Sequence, residues 1–373
     1  MKLALIYHQF IRSGGLENYL IEFATRMADA GHQIELVTSR IAPEVQAKLN
    51  APVHRVPLVS GSKLLALWQF ARNSAVLAKT LPVDVTIGFG RTYAHHLHRA
   101  GGGCHAIYSK LLPVWKRYEP KNLLELQLER RLYTSGETRR FVTNSARVSA
   151  QLQGLYKTPA ERFMTIHTAV DTTVFRPAVD RAAQREYICR KMQTDPQKPV
   201  LLFVSLSHRR KGLDALLTAM RDVDATLWIA GRPLGRWFEA QIKSLGISAK
   251  IRSIPVTNSL IDLYQAADWF VHPTLYDACA NTVLQSMACG LPGIISVQDG
   301  AVDHVCDGMN GLMLFHPQDV SELTGRIQQA LAYSDGERHA MGSAAQETMQ
   351  ALTWERHLSQ WEELMTTLHS TYP

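Results

Sequence analysis

At 373 residues the chain is too long for one compact hydrophobic core, so two domains are expected. Its 46% hydrophobic and 20% charged residues are those of a folded, water-soluble protein, and no stretch approaches the ~20 apolar residues of a membrane span. The formal charge of +7 favours anionic partners such as nucleotides, phosphorylated lipids or a membrane surface; the basic residues are dispersed and match no reader motif, which argues against nucleic acid.

The opening run Lys2–Tyr7 is nearly all apolar, as expected of a parallel strand buried on both faces. It is too short for a signal peptide and leads directly into His8-Gln9. After Ser13-Gly14-Gly15, the residues Leu16, Leu20, Phe23, Ala24, Met27 and Ala28 follow helical spacing, and Gly31 closes the helix. Ile34–Thr38 is a second strand. The glycine pair at the carboxyl end of strand one permits close backbone approach to a ligand, or forms a simple tight turn. Val53–Val56, Val83–Phe89 and Phe141–Thr143 are further strands, and Lys63–Lys79 is helical.

The segment His95–Tyr108 interrupts this rhythm with three consecutive glycines, Gly101–Gly103. His95, His96 and His98 look strand-like and lack partner ligands at zinc spacing, which sets a metal site against an ordinary strand. His105, just beyond the glycines, is a candidate base or sugar-hydroxyl contact, with a structural histidine as the alternative. Residues 108–133 interleave Leu111, Leu112, Val114, Trp115, Tyr118, Leu123 and Leu124 with Lys110, Lys116, Arg117, Lys121, Arg130 and Arg131. That pattern fits an interfacial segment on an anionic membrane, or an amphipathic helix with a solvated basic face. The five cysteines (Cys104, Cys189, Cys279, Cys289 and Cys306) are odd in number and form no C-x-x-C pair, which favours reduced thiols in a cytosolic protein.

A boundary is expected between Thr165 and Pro177, followed by a basic helical connector to about Lys198. The β/α alternation then resumes, with strands at Val200–Ser205, Ala225–Ala230, Lys250–Ile254, Trp269–Val271 and Gly293–Ser296 and helices between them. The stretch from Pro317 is helical, ending in Trp354–His369. Two β/α halves imply two doubly wound domains.

Between the strand Val200–Ser205 and the helix starting near Gly212 lies Ser207-His208-Arg209-Arg210-Lys211. Cations at a strand's carboxyl end, beside a helix N-terminus, form a candidate diphosphate clamp; a solvated loop is the alternative. Asp277 should project from the same sheet edge. A helix begins near Ala280–Asn281 and ends at Gly290, where Leu291-Pro292 stops it. Its N-terminus suits a phosphate or polar ligand, and Asp277 and Gln285 approach one ligand from the same side.

The stretch Arg209–Ala219 (RRKGLDALLTA), Ala230–Arg232, Leu263–Asp277 (LYQAADWFVHPTLYD) and Asn281–Pro292 (NTVLQSMACGLP) come in fixed order. Together with Gly14-Gly15-Leu16, Asn144-Ser145, Ala169-Val170-Asp171 and Asp307-Gly308-Met309-Asn310-Gly311, they resemble the retaining, nucleotide-sugar-dependent glycosyltransferases of family 4. Within that family the likeness is greatest to lipopolysaccharide core glucosyltransferases. The resemblance implies an α/β chain of GT-B fold, two Rossmann-like doubly wound domains facing an inter-domain cleft. Residues 1–170, completed by a helix at about 354–373, would form the acceptor side, and 177–350 the nucleotide-sugar side.

The resemblance further implies no catalytic metal and no cofactor beyond the substrate nucleotide sugar, with UDP as its expected base. Arg210 and Lys211 would neutralise the leaving diphosphate, and Gly14 and Gly15 would approach the donor phosphates. Asp277 would meet hydroxyls of the transferred sugar, and the Ala278, Cys279, Ala280 and Asn281 backbone N–H groups would reach sugar and phosphate. Ser205, Arg232 and Thr282 complete the donor set. Two positions depart from the family pattern of Glu, seven residues, Glu: here it reads Asp277, seven residues, Gln285. Asp is one methylene shorter, so its sugar contact must be drawn in or bridged by water. Gln285 keeps one acceptor oxygen for the ribose but loses the charge. The expected activity is retaining transfer of a hexose or similar sugar to a lipid-linked or lipopolysaccharide-core saccharide, in the cytoplasm or on the inner face of its membrane. The alternatives are a non-catalytic glycan- or nucleotide-binding homologue and a nucleotide-sugar epimerase.

Overall fold

The computed structural model describes residues 1–12, 14–59, 61–257 and 259–371. The chain forms two compact units, Met1–His167 with Glu355–Pro373, and Thr168–Trp354.

The strands of the first unit are β1 (Lys2–Ile6), β2 (Gln9–Phe10), β3 (Gln33–Thr38), β4 (Arg40–Ile41), β5 (Val53–Arg55), β6 (Val85–Gly88), β7 (Leu97–Arg99), β8 (Arg140–Thr143) and β9 (Phe163–Thr165). Seven of them form one parallel sheet in the order β5-β3-β1-β6-β7-β8-β9, and β2 pairs with β4 alone. Leu3–Ile6 are fully buried on both faces, which is why β1 sits centrally and reads as a continuous apolar run. The helix Gly15–Asp29 returns the chain from β1 to β3, and Gly31 follows it at φ +90°, a conformation that suits glycine. The helix Trp354–Thr371 closes this unit: Trp361 is fully buried with its ring 5.1 Å from Phe23, and His357 Nε2 lies 2.7 Å from the Tyr19 hydroxyl.

The second unit carries β10 (Val200–Ser205), β11 (Thr226–Gly231), β12 (Ile251–Pro255), β13 (Trp269–His272), β14 (Gly293–Ser296) and β15 (Leu312–Leu314), all parallel, in the order β12-β11-β10-β13-β14-β15. Alternate residues of each strand serve opposite faces. Leu202, Trp228, Phe270 and Ile295 pack into one core layer, and Leu201, Leu227, Trp269, Val271 and Ile294 into the other. Each such side chain contributes roughly 1.5–3 kcal/mol on burial, so the strand ends that carry the polar residues are held rigidly.

The sequence places the first unit's end at 170 and the second's beginning at 177, yet Thr168–Pro177 lies with the second unit. Val170 is buried in its core and donates its N–H to Leu352 O (2.9 Å). The connector helix Arg181–Lys191 is tied to the sheet by Arg181 and Arg185, each 2.8 Å from a carboxylate oxygen of Asp268. Among the described residues no helix is long and apolar enough to cross a membrane.

Candidate functional site

The polar residues of the second unit gather where β10, β11, β13 and β14 end. After Ser205 the chain makes a turn through His208–Gly212 before the helix Leu213–Ala219. Gly212 has φ +81°, and a Cβ there would lie 2.0 Å from Pro273 O, so the turn after β10 and the loop after β13 touch through a position only glycine fills. Gly231 does the same on the other side, at φ +127° with a Cβ position 2.1 Å from Ser205 O. These close approaches fix the turn that carries the cations.

Of the three consecutive cations, two face the loop after β13. Arg210 donates through Nη1 to Asp277 Oδ2 (2.8 Å) and to Tyr276 O (2.9 Å). Lys211 Nζ bonds Asp277 Oδ2 and lies 3.1 Å from His272 Nε2. Arg209 turns away and stacks on the exposed Trp237 ring at 4.6 Å, so the clamp has two cations. His208 Nε2 lies 2.7 Å from Arg232 O, which pins this turn to the end of β11; Arg232 itself is exposed.

Asp277 is enclosed, its side chain 16% exposed. Burial alone would push its carboxyl up, but Lys211 and Arg210 outweigh that and hold it well below the usual carboxylate range. Both cations converge on Oδ2, and Oδ1 makes no hydrogen bond among the described residues. One oxygen thus serves as counter-ion while the other remains an acceptor. The Lys211 ammonium has three N–H groups and uses two, one on Asp277 and one on His272, leaving a third for a ligand.

Behind this pair stand two side chains that the sequence reading missed. His272, at the end of β13, and Asp299, after β14, are both fully buried, with His272 Nε2 2.9 Å from Asp299 Oδ2. Burial, with the Lys211 charge second, lowers the His272 pKa against the opposing pull of Asp299, so the ring is neutral and accepts from Lys211. Asp299 Oδ1 accepts the N–H groups of Ala280 (3.0 Å) and Ala301 (2.8 Å), which fastens the segment Asp277–Ala280 to the end of β14. His272 reads in the sequence as the last residue of a buried strand, and Asp299 lies 27 positions further on. The parallel pairing of Val271 with Ile294 brings them together.

The helix Asn281–Ala288 starts one residue after Ala280. Ala278, Cys279 and Ala280 are buried, and Asn281 and Thr282, half-buried, carry the first-turn N–H groups that have no intrahelical acceptor. Gln285 is half-buried and its Oε1 accepts from the Tyr264 hydroxyl (3.3 Å). Ser205 Oγ accepts from Ser207 N (2.9 Å) inside the turn. Arg210, Lys211, Asp277 and the start of the 281–288 helix therefore share one edge, as the sequence suggested, and Ser205 and Arg232 lie at neighbouring strand ends.

In the first unit Gly14 caps the helix Gly15–Asp29 in an extended conformation. A Cβ on it would lie 2.9 Å from Glu17 Oε2, and Glu17 Oε1 accepts from the Tyr7 hydroxyl (3.0 Å). His105 is not in a loop: it opens the helix His105–Ser109 and is 5% exposed. Its N–H reaches the buried Glu129 (2.7 Å), and its Nε2 lies 2.8 Å from Asn122 Oδ1 and 3.1 Å from Glu125 Oε2, so that nitrogen donates. A histidine with this many partners is held for structure, and the geometry gives it no free nitrogen on that side. His95 and His98 are buried and His96 bonds Thr86, so the three rings are parts of the sheet and its loop.

The description "Glycosyltransferase Family 4" matches residues 13–174, and "Glycosyl transferases group 1" matches residues 184–348. The chain belongs to the family 4 glycosyltransferases. This glycosyltransferase is 21% identical to the lipopolysaccharide glucosyltransferase WaaG of Escherichia coli K12 over 355 residues, 90% of each chain. The crystal structure of WaaG, a glycosyltransferase involved in lipopolysaccharide biosynthesis, superposes with a TM-score of 0.80 over 95% of this chain and 98% of that one, at 20% identity. Anabaena Alr3699/HepE in complex with UDP-glucose gives a TM-score of 0.76 at 16% identity, over 98% of this chain and all of that one. The fold is that of GT-B enzymes, with two Rossmann-like units.

Proposed function

We propose that this glycosyltransferase moves a hexose or similar sugar, with retention, from a UDP-linked donor to a lipid-linked saccharide such as a lipopolysaccharide core. The observation that carries the reading is the Arg210–Lys211–Asp277 triad beside the open N-terminus of the helix Asn281–Ala288. As the sugar–phosphate bond breaks, charge develops on the diphosphate. Arg210 and the third N–H of Lys211 are fixed cations at that place, and first-turn N–H groups add to them. Asp277 Oδ1 then accepts from a hydroxyl of the transferred sugar. Its short side chain keeps it close to the cations, so the sugar contact is direct only if the sugar lies against the loop. The family resemblance and the two lipopolysaccharide-related likenesses to WaaG support the acceptor class, and the UDP-glucose complex of HepE supports the donor base.

The segment 108–133 supports a place on an anionic membrane surface. Trp115 and Tyr118 are 65% and 72% exposed, Val114, Leu111 and Leu123 are also exposed, and Lys110, Lys116 and Lys121 lie among them. We assign the protein to the cytoplasmic face on this ground. Sedimentation with anionic and neutral liposomes tests it: retention by anionic vesicles that falls with salt is expected, and equal recovery in both supernatants would refute it.

The donor reading is tested by a thermal-shift screen of nucleotide sugars followed by incubation with a lipid-linked saccharide, with the product anomer determined by NMR. Stabilisation by a UDP-sugar and an acceptor-dependent product of retained configuration are expected. A donor converted without acceptor would instead identify an epimerase. Gln285, its acceptor oxygen engaged by Tyr264, favours as second reading a non-catalytic nucleotide-binding homologue, for which binding without turnover would be found.

A further inference from the structure

A cavity of about 840 Å³ opens at the amino edge of the second unit's sheet, where β10 and β13 begin. The connector helix Arg181–Lys191 and the start of the helix Asp335–Met349 both contribute to its wall. The strand Val200–Ser205 runs from this edge to the one that carries Arg210 and Lys211, roughly 17 Å at the rise of a strand, so the cavity is separate from the proposed donor site. Its centre is Asp268, a buried carboxylate with three arginines around it. Oδ2 of Asp268 accepts from Val200 N (2.8 Å) and lies 2.8 Å from Arg185 Nη1, while Oδ1 accepts from Arg181 Nη2 (2.8 Å). Arg185 spends its other donors on Pro196 O, Ala266 O and Lys198 O, which makes it a structural tie.

Arg181 and Arg338 differ from it. Arg181 uses only Nη2, on Asp268 and on Ala267 O (2.9 Å); its Nε–H and both Nη1 N–H groups have no partner among the described residues, and its side chain is 41% exposed. Arg338 Nη1 lies 3.5 Å from the same Asp268 Oδ1, so two guanidinium groups meet around one oxygen. One buried carboxylate shared among three arginines leaves net positive charge at the cavity. Two acids answer it only from the water side. Asp335, its side chain 90% exposed, pairs with Arg338 (2.8 Å), and Glu186, 64% exposed, pairs with Arg190 (2.7 Å). Such surface helix pairs contribute little and yield to a better-placed anion. Two forked guanidinium groups match the oxygens of a phosphate. The cavity has room for far more than that ion, and the half-buried Leu331 and Tyr333 supply aliphatic and ring surface in its wall. We infer that this cavity is a second ligand site, which takes the phosphate monoester of a small organic molecule, a sugar phosphate in class, with Arg181 and Arg338 as its phosphate clamp.

Calorimetric titration of ribose 5-phosphate, inorganic phosphate and ribose into the full chain tests this, with Arg181→Gln, Arg338→Gln, Asp335→Asn and Arg210→Ala beside wild type. Ribose 5-phosphate should bind, inorganic phosphate more weakly, and ribose not at all. Arg181→Gln and Arg338→Gln should each weaken the ester at least about tenfold. Asp335→Asn, which frees Arg338, should tighten it about two- to threefold, and Arg210→Ala should leave it unchanged. Arg338 stands 3.5 Å from Asp268, beyond an ordinary hydrogen bond, so the fold leans on it least. If circular dichroism shows Arg181→Gln unfolded, Arg181→Lys keeps the charge without the fork and should still weaken binding several-fold. Absence of binding to wild type would overturn the inference, as would binding that survives folded variants at both arginines, which would leave them as structural ties only. Binding lost in Arg210→Ala alone would place the ligand at the donor edge and likewise overturn it. Inorganic phosphate that binds as tightly as the ester would refute the organic part of the assignment. UDP titrated into the same proteins keeps the two sites apart, since failure of the donor reading removes UDP binding and leaves the response of Arg181 and Arg338 intact.

Discussion

Replacing Asp277 with Asn keeps the size of the side chain and removes the charge on which two cations converge. Lys211 has a side chain only 10% exposed, and Asp277 one of 16%, so solvent screens this pair weakly. Breaking a buried pair by removing one partner costs about 3–5 kcal/mol; the residual exposure and the remaining His272 acceptor place Asp277→Asn near the lower end, about 3 kcal/mol. Lys211→Met removes the other partner, leaving Asp277 with Arg210, and should cost less, because Arg210 Nη1 remains 2.8 Å away. The double variant should then cost less than the sum of the singles by about 2 kcal/mol. Urea unfolding of the four proteins at neutral pH measures this directly. The pH dependence has a definite sign. The folded pKa of Asp277 is depressed, so its contribution is fully present above the unfolded value of about 3.9 and is lost as pH falls through and below it. The gap between wild type and Asp277→Asn should therefore close in acid. Additive singles, or an Asp277→Asn loss below about 0.5 kcal/mol, would show that the triad is a surface pairing of no consequence.

Gly212→Ala forces a Cβ against Pro273 O at a positive φ, and a loss of at least about 3 kcal/mol in urea unfolding is expected, with Gly231→Ala similar; a change under about 1 kcal/mol in both would mean that the turns are not locked as described. In the first unit burial lowers the pKa of His95 to about 3 and, with Arg99 adding to it, that of His357 to about 3. Their folded pKa values lie below the unfolded ~6.5, so their contribution is whole above that pH and declines as pH falls toward 3, by up to about 1.4 kcal/mol per pH unit for each ring. Protection factors for hydrogen exchange at β7 and the closing helix should therefore fall between pH 7.5 and 5 by more than those at β10 and β11. His95→Leu, which replaces a ring with both nitrogens buried and without partner, should flatten that dependence and be at least as stable as wild type at pH 5.5; equal slopes would contradict the assignment. Gln285→Glu restores a second acceptor oxygen beside Tyr264 and should change UDP affinity by more than threefold in titration calorimetry, whereas no change would remove Gln285 from the nucleotide site.

The alternation of strands and helices was legible because long parallel strands, such as Leu3–Ile6 and Val200–Ser205, are buried on both faces and carry unbroken apolar runs. The three-residue strands β9 and β15 were not found, since Phe163–Thr165 and Leu312–Leu314 are too short to show a period. Arg210, Lys211 and Asp277 were recognisable because charge at the carboxyl end of a parallel strand has few structural uses. Their mutual pairing was not, and neither were His272 and Asp299: a histidine closing an apolar run and a lone loop aspartate become a pair only through the β13–β14 register. His105 misled for the opposite reason. Its position after three glycines suggested a free loop residue, whereas Glu129, inside the helix Pro120–Thr134, draws it into a buried helix start.

The most direct test of the account is calorimetric titration of UDP into wild type, Arg210→Ala and Lys211→Ala. The account predicts measurable binding to wild type and a loss of about a hundredfold when either cation is removed, with circular dichroism confirming that the variants are folded. Folded variants that bind UDP as tightly as wild type would contradict it.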